Sequence, residues 1–377
     1  MPLRVALVCD WFLPRMGGIE LHLRDLALAL RHRGVDARIV TTTPGAAVVE
    51  DVPVHRVHVP LLPGAGVSVS PSIADRLAVL MRAEQFDIVH AHASVVSPVA
   101  YAGAIAGARA GIPAVITFHS MLHQSSLLLG ASDALLGWSR RVTLTAVSSV
   151  VAAQAVRWMP GASIGVLPNA IDVDFWRAEG HTDRVGEVHF VTAMRLSRKK
   201  RPLALVRAFA SAVRFVAGTP PLRLTIAGDG PDRDEILRVA AELGVAKNVS
   251  LVGQLDRTQL RSLYAQADVF VLPSERESFG IAALEARAAG LPVIAMLASG
   301  ARDFITAGVN GLLARDQREL ATFISRLALD RPLRRYMVNR NRLAPAEYDW
   351  GAVTAAHRAI YEAATRTRNA ADAAAQR

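Results

Sequence analysis

Residues 4–34 read RVALVCDWFLPRMGGIELHLRDLALALRHRG, and this stretch decides the fold. Arg4–Val8 is a short apolar strand, and Pro14-Arg15-Met16-Gly17-Gly18 is a glycine-containing loop. Ile19, Leu23, Leu26 and Leu30 then fall at helical spacing up to Arg33-Gly34, where glycine ends the helix. The next strand-like runs are Ala37–Thr41, Phe86–Ala91 and Ala114–Phe118, the last preceded by the turn Gly111-Ile112-Pro113. Strand, helix and strand at this spacing predict a parallel sheet wound with helices.

The pattern restarts in the second half. Val188–Ala193, Leu222–Ala227, Val249–Val252, Val269–Leu272 and Pro292–Ala295 are strand candidates with helical segments between them. Residues 166–187 hold Pro168, Asn169 and several charges but no periodicity, which places a junction there. The chain therefore reads as two doubly wound α/β domains in tandem, with ligands expected at the carboxyl ends of their strands and a cleft between the two. Residues 366–377 are Ala-rich and polar and are expected to fray.

Composition agrees with this plan. A chain of 377 residues suits two domains, and 51% hydrophobic residues exclude a disordered chain. The formal net charge of +10 raises nucleic acid or an anionic membrane surface as partners. All but three of the 43 basic residues are arginine, however, a skew that looks like genomic composition bias. Residues 195–201 and 331–342 each carry five of the positive charges and no acid. Between them they account for the whole excess. The second group reads as a solvated helix face or a membrane-facing one. A single cysteine, Cys9, excludes an intramolecular disulfide framework and a cysteine-rich zinc site. The apolar run before Asp10 is too short for a signal-peptide core. The uncharged stretch Ile88–Ala108 is long enough to span a membrane, but His90, His92, Pro98 and many small residues favour a strand, a loop and an Ala/Gly-rich helix. A soluble, cytoplasmic chain is the expectation.

Several strand ends carry residues suited to chemistry. Gly17-Gly18, between the first strand and first helix, is either a tight turn or a place where backbone N–H groups approach an anion. No G-x-G-x-x-G surrounds it, and no Walker A motif is present, which weakens dinucleotide and P-loop readings. Ala227-Gly228-Asp229-Gly230-Pro231 follows a strand and opens a helix, so Gly228 and Gly230 are candidates for holding a phosphate or nucleoside. Arg233 stands where a dinucleotide fingerprint has its third glycine. Arg195-Leu196-Ser197-Arg198-Lys199-Lys200-Arg201 follows the strand Val188–Ala193. A fork-shaped guanidinium beside a point ammonium suits a diphosphate.

Glu275, Glu277 and Glu285 surround Ser278-Phe279-Gly280. Carboxylates at 277 and 285 suit hydroxyls of a sugar and of a ribose, while the N–H groups of Phe279, Gly280 and Ile281 suit a phosphate. Exposed acids on a capped helix would be the plainer reading. Glu285, however, is embedded in the apolar run Ile281–Ala286, where an unpaired glutamate is costly. His119 ends the strand Ala114–Phe118 and is either a satisfied structural residue or a group facing a ligand. His90 and His92 alternate after another strand with no third ligand spaced for zinc, so no metal site is assigned. Asp172-Val173-Asp174 has the form of a cation-binding pair but lies in the junction, and is set aside.

As an ordered set these residues resemble the retaining glycosyltransferases of family 4, which have the GT-B fold of two Rossmann-like domains. The resemblance covers nearly the whole chain. Its strongest part is Pro273–Ala286, which looks like the family's E-x7-E block, followed by Gly290–Ala295. Gly17-Gly18, His119, Leu167–Asp172 and Arg195 with Lys200 match in order. The resemblance implies an acceptor-binding domain at 1–168, joined by a C-terminal helix at about 353–368. It implies a nucleotide-sugar domain at 185–350; residues 369–377 are read from their composition as a disordered tail. It also implies that Arg195 and Lys200 bind the donor diphosphate, Glu285 the ribose and Glu277 the donor-sugar hydroxyls. Ser278, Phe279, Gly280 and Ile281 would lie on sugar and phosphate, with Gly18 approaching the phosphate and His119 beside the reacting sugar. Ala170 replaces a commoner glycine, and Ser299–Asp303 departs from the family's Gly-Gly-x-Pro-Glu. Cys9–Glu20 is similar to family members that glycosylate lipids, including phosphatidylinositol.

The implied activity is retaining transfer of a hexose from a UDP- or GDP-linked donor to a glycolipid or cell-envelope polysaccharide precursor. It would need no metal and no nucleic-acid partner, and would take place in the cytoplasm or peripherally at the inner membrane face. The alternatives are a sugar-nucleotide epimerase of similar fold, and a non-catalytic basic protein bound to membrane or nucleic acid.

Overall fold

The computed structural model describes residues 2–15, 17–60, 68, 70, 72–122, 127–177, 186–344 and 346–375. The chain divides into two compact units, one formed by Met1–Ala170 with Glu347–Arg377 and the other by Ile171–Ala346.

The first unit holds β1 (Arg4–Cys9), α1 (Gly18–Arg31), β2 (Asp36–Thr41), β3 (Val48–Val49), β4 (Val52–Arg56), α2 (Ile73–Ala83) and β5 (Ile88–Ala93). It continues with α3 (Pro98–Arg109), β6 (Ala114–Phe118), α4 (Leu127–Leu136), β7 (Thr143–Ala146), α5 (Ser149–Trp158) and β8 (Ile164–Val166). The C-terminal helix, Trp350–Ala375, belongs to this unit and runs well past residue 366, where fraying was expected. The strands form one sheet in the order β3-β4-β2-β1-β5-β6-β7-β8, parallel apart from the β3–β4 pair. Leu23, Leu26 and Leu30, three of the residues whose spacing predicts α1, are fully buried with Val5, Leu7 and Ile39.

One register differs from the sequence reading. The strand expected at Phe86–Ala91 begins two residues later, because the Asp87 carboxylate accepts the Arg4 backbone N–H at 2.8 Å and so sits at the start of the pairing. The strand also runs two residues further, to Ala93, so that His92 as well as His90 lies inside β5, and both are buried. The same stretch supplies the strand and small-residue helix expected in place of a membrane span. No described helix is long and apolar enough to cross a membrane.

The second unit holds α6 (Val173–Trp176), β9 (Val188–Ala193), α7 (Pro202–Val216), β10 (Leu222–Ala227), α8 (Arg233–Glu242), β11 (Val249–Gly253) and α9 (Arg257–Ala265). It continues with β12 (Val269–Leu272), α10 (Ile281–Ala288), β13 (Val293–Met296), β14 (Gly311–Ala314), α11 (Gln317–Leu329) and α12 (Arg331–Arg342). Its six-stranded parallel sheet has the order β11-β10-β9-β12-β13-β14. Phe190, Phe209, Ile226, Val271 and Ile324 are among its fully buried side chains. The order runs outward from β9 in one direction and from β12 in the other, so the reversal falls between those two neighbours. Asp172, set aside as a cation ligand, caps α6 by accepting the Phe175 N–H at 2.9 Å, while Asp174 pairs with Arg177 at 3.4 Å.

The basic helix α12 is not wholly a solvent or membrane face. Arg331, Arg335, Arg340 and Arg342 are exposed, but Arg334 is buried. Its guanidinium donates to the carbonyls of Leu327 and Ala328, at 2.8 Å for the latter, and satisfies the last turn of α11. Charged hydrogen bonds of this kind contribute about 1.5–3 kcal/mol. Arg334→Ala is expected to lower the unfolding free energy by about 2 kcal/mol in a denaturant titration. Arg340→Ala on the exposed face should stay within about 0.5 kcal/mol of the parent.

Candidate active site

Ligands of open α/β sheets bind where the strand order reverses, since the loops of the two flanking strands leave in opposite directions and open a crevice. In the second unit that crevice lies at the carboxyl ends of β9 and β12. From β9 comes the basic segment 195–201, which turns through a short 3-10 helix at Arg198–Lys200. From β12 comes the loop 273–280. The two meet through an ion pair in which Lys200 Nζ donates to Glu277 Oε2 at 2.6 Å. The Glu277 side chain is only 13% exposed and that of Lys200 31%, so the pair is shielded from water on the carboxylate side. Arg201 pairs with Glu275 beside it. Arg195 is exposed and has no carboxylate partner among the described residues, which leaves its charge available for an anion. An ammonium, a guanidinium and a carboxylate at two neighbouring strand ends can together take a diphosphate and a neighbouring hydroxyl.

Gly280 holds the loop in shape. Its φ is +95°, a left-handed conformation that favours glycine, and a Cβ there would come within 3.1 Å of Leu272 Cδ2. Its carbonyl takes both the Ala283 and Leu284 N–H groups, so the ladder of α10 starts there and leaves the N–H groups of Ile281 and Ala282 outside it. Glu285, one turn into α10, is buried near Tyr264, whose phenol is held well above its ordinary range by burial and by the Glu285 charge. The segment Ser299–Asp303 braces this loop, with the Gly300 N–H donating to the Glu277 carbonyl at 2.8 Å. Arg276 is exposed.

Gly228 and Gly230 have a requirement of their own. A Cβ at Gly228 would lie 1.8 Å from the Met194 carbonyl oxygen, and one at Gly230 2.3 Å from that of Leu196. The Leu196 N–H in turn donates to the Asp229 carbonyl at 2.9 Å. These glycines let the loop after β10 lie against the backbone that carries Arg195.

In the first unit the reversal falls between β1 and β5. Asp10, at the end of β1, is buried and accepts the Val99 and Ala100 N–H groups at 3.0 and 3.2 Å. It caps α3 from 89 residues away, a role with no local sequence signal. Burial pushes its carboxyl up to about 6. Gly17 is backed by Glu20, whose Oε2 would sit 2.3 Å from an added Cβ. Gly18 differs, because a Cβ there meets nothing within 4 Å and its φ is not positive. The fold does not require glycine at 18.

His119 follows β6 and is buried at 6% exposure. It belongs to a cluster that sequence spacing did not reveal. His92 Nδ1 and His119 Nε2 are 2.9 Å apart, and His22 lies 5.9 Å from His119, ring to ring, and stacks on Trp350. His90 contacts the Tyr361 hydroxyl at 2.9 Å and Thr117 Oγ1 at 2.7 Å, with His357 5.6 Å from it. On this sheet face β5 runs Ile88, His90, His92 and β6 runs Val115, Thr117, His119, apolar at the amino end and polar at the carboxyl end. No group of three or more His, Cys, Asp or Glu among the described residues is arranged to hold a metal ion.

Burial pushes His119 down to about 3 and His357 down to about 4, and holds His90 and His92 well below the ordinary imidazole range. The unfolded chain therefore binds more protons at these positions below about pH 6.5, and each such group removes about 1.4 kcal/mol of stability per pH unit of acidification until its folded value is reached. Asp10 and Glu20, raised by burial, oppose this in the same range. Stability should still fall from pH 6.5 toward 5. The slope in His357→Gln should be shallower by about 1.4 kcal/mol per pH unit, read from denaturant melts across pH. An unchanged slope would contradict neutral burial of the cluster.

Comparison with known proteins agrees with this arrangement. Residues 16–175 match the family described as Glycosyltransferase Family 4, and residues 178–344 match Glycosyl transferases group 1. The chain is 28% identical to the D-inositol 3-phosphate glycosyltransferase of Xylanimonas cellulosilytica, over 94% of this chain and 93% of that protein. It is 35% identical to the glycogen synthase of Mycobacterium tuberculosis, over 55% of this chain and 50% of that one. Among solved structures it is similar to a glycosyltransferase from Rickettsia africae, with TM-score 0.77, 17% identity and coverage of 96% and 98% of the two chains. It is similar also to Anabaena HepE in complex with UDP, with TM-score 0.76, 23% identity and coverage of 96% and 100%. With both halves of the chain matched and the fold shared, the protein belongs to the family-4 glycosyltransferases and has the GT-B fold.

Proposed function

We propose that the protein transfers a hexose from a UDP- or GDP-linked donor, with retention at the anomeric carbon, to a glycolipid or cell-envelope polysaccharide precursor. The observation that carries this is the Lys200–Glu277 pair beside Arg195 at the strand reversal of the second unit. The hard step is cleavage of the anomeric C–O bond, as negative charge grows on the departing diphosphate and positive charge on the sugar. Arg195, Lys200 and the N–H groups that open α10 supply positive charge and dipoles to the departing phosphate, usually the largest contribution such a site makes. This role requires no resident metal. Glu277, held by Lys200, takes a donor-sugar hydroxyl, Glu285 the ribose, and Ser278 with the 279–281 backbone the sugar and phosphate. In the first unit, Gly18 leaves room for the phosphate, and His119 meets the reacting sugar.

HepE, crystallised with UDP-glucose, supports a UDP-sugar as the first donor to try. The name shared by several relatives favours a second acceptor reading, a small phosphorylated polyol such as inositol 3-phosphate. The work would be done in the cytoplasm, or at the inner membrane face if the acceptor is a lipid. Neither nucleic acid nor a non-catalytic membrane role accounts for carboxylates flanking the Gly280 loop.

Lys200→Ala and Glu285→Ala are expected to stay folded in thermal melts and to lower kcat about 10²–10³-fold, the size of losing one preorganised group. Full turnover in both would overturn the site assignment. Release of nucleoside diphosphate only when acceptor is added is expected of a transferase. Release without acceptor, or interconversion of the donor sugar alone, would favour the epimerase alternative.

A further inference from the structure

We propose that His92 is a positioning residue that fixes the neutral tautomer of His119, so that His119 presents a hydrogen-bond donor at Nδ1. His92 is buried at 3% exposure, and its Nε2 makes no hydrogen bond, while its Nδ1 lies 2.9 Å from His119 Nε2. A neutral imidazole carries one N–H and one lone pair, and the proton can sit on either nitrogen. Orphaned buried N–H groups are rarer than under-satisfied acceptors. The His92 proton therefore belongs on Nδ1, where it has an acceptor, and the lone pair on Nε2, where there is none.

That choice propagates across the strands. If His92 Nδ1–H donates, His119 Nε2 must accept, and the single proton of a neutral His119 is confined to Nδ1. No described residue bonds to His119 Nδ1, and it is not among the buried polar atoms lacking a partner. It is the one polar ring atom of His119 left for a ligand. Protonation of His119 would set two N–H groups against each other, and burial already holds the ring neutral.

The neighbouring chain of hydrogen bonds keeps His92 in place without competing for its protons. Thr145 Oγ1 donates to the Ile116 carbonyl at 3.3 Å and stands 2.6 Å from Thr117 Oγ1. A carbonyl only accepts, so the chain runs toward it. Thr117 donates to Thr145, His90 Nε2–H donates to Thr117, and Tyr361 donates to His90 Nδ1. His90 is thereby satisfied at both nitrogens, and its ring lies 4.1 Å from that of His92, centroid to centroid. His90 thus restrains the His92 ring by packing and takes none of its hydrogen bonds.

The catalytic consequence rests on the reading that His119 meets the reacting sugar. A neutral Nδ1–H donates to a sugar oxygen but exchanges no proton, so His119 orients the sugar and does not act as acid or base. The tautomer itself can be measured without any sugar nucleotide, which separates this inference from that reading.

In the full-length protein labelled with ¹⁵N-histidine, long-range ¹⁵N–¹H correlation reports the tautomer of each ring, with His119→Gln identifying its signals. The expected result is an Nδ1–H His119 in the wild type. An Nε2–H His119 would overturn the proposal, with no variant needed. His92→Asn keeps a donor near the Nδ1 position and should preserve the Nδ1–H form. His92→Asp offers only acceptors and should drive His119 to Nε2–H. With the donor identified, His92→Asp should lower kcat at least tenfold with a smaller change in KM, and His92→Asn should recover most of it. Equal losses in both variants, with the wild-type tautomer retained, would mark His92 as structural only.

Discussion

The constraint on which the second unit depends is the reversal of strand order between β9 and β12. A parallel sheet is buried on both faces, so its loops are free to carry chemistry only at the strand ends. Loops leaving adjacent strands in opposite directions cannot close over each other, and the gap between them is the natural ligand site. The residues of the second unit proposed to bind the donor gather at that gap. Arg195 and Lys200 enter from β9, and Glu277 and Glu285 from β12. The contact that joins them spans 77 residues of sequence and 2.6 Å of space. Gly228 and Gly230 support the arrangement from β10 by allowing backbone to touch backbone at Met194 and Leu196.

The first unit uses the same sheet logic with a different kind of polarity. Its strands β5 and β6 are apolar where they start and carry histidine and threonine where they end, beneath α1 and the C-terminal helix. Burying polar side chains there is tolerable because they satisfy one another in a directed chain, and because burial keeps the imidazoles neutral. A cluster of this sort favours a single arrangement, since a proton in the wrong place leaves either a donor facing a donor or a buried N–H with no acceptor. Asp10 plays a parallel part on β1, where one carboxylate satisfies two N–H groups at the start of α3.

How far the sequence foretold this depends on how local each signal is. The inner strands were legible because burial on both faces makes them continuous apolar runs, and Ala114–Phe118, Val188–Ala193, Leu222–Ala227 and Val269–Leu272 fall at the expected residues. Val48–Val49 and Ile164–Val166 have only two and three residues, and in Val52–Arg56, Thr143–Ala146 and Gly311–Ala314 a proline, threonine or glycine interrupts the apolar run. Among the candidate site residues, Arg195, Lys200, Glu277 and Glu285 stood out because each lies in a short motif at a strand end. His92 and Asp10 did not, for their partners are 27 and 89 residues away and no spacing rule connects them. Arg334 was misread with its neighbours as surface charge, since what buries it is the end of a different helix.

The crevice between β9 and β12 is proposed to bind a nucleoside diphosphate through Lys200 and Arg195. Calorimetric titration of UDP, GDP and ADP into the wild-type protein and into Lys200→Ala tests it most directly. One of the three is expected to bind the wild type, and the variant to lose at least about tenfold in affinity, or about 1.4 kcal/mol, while its melting temperature is kept. Binding of none of them, or equal affinity in the variant, would contradict it.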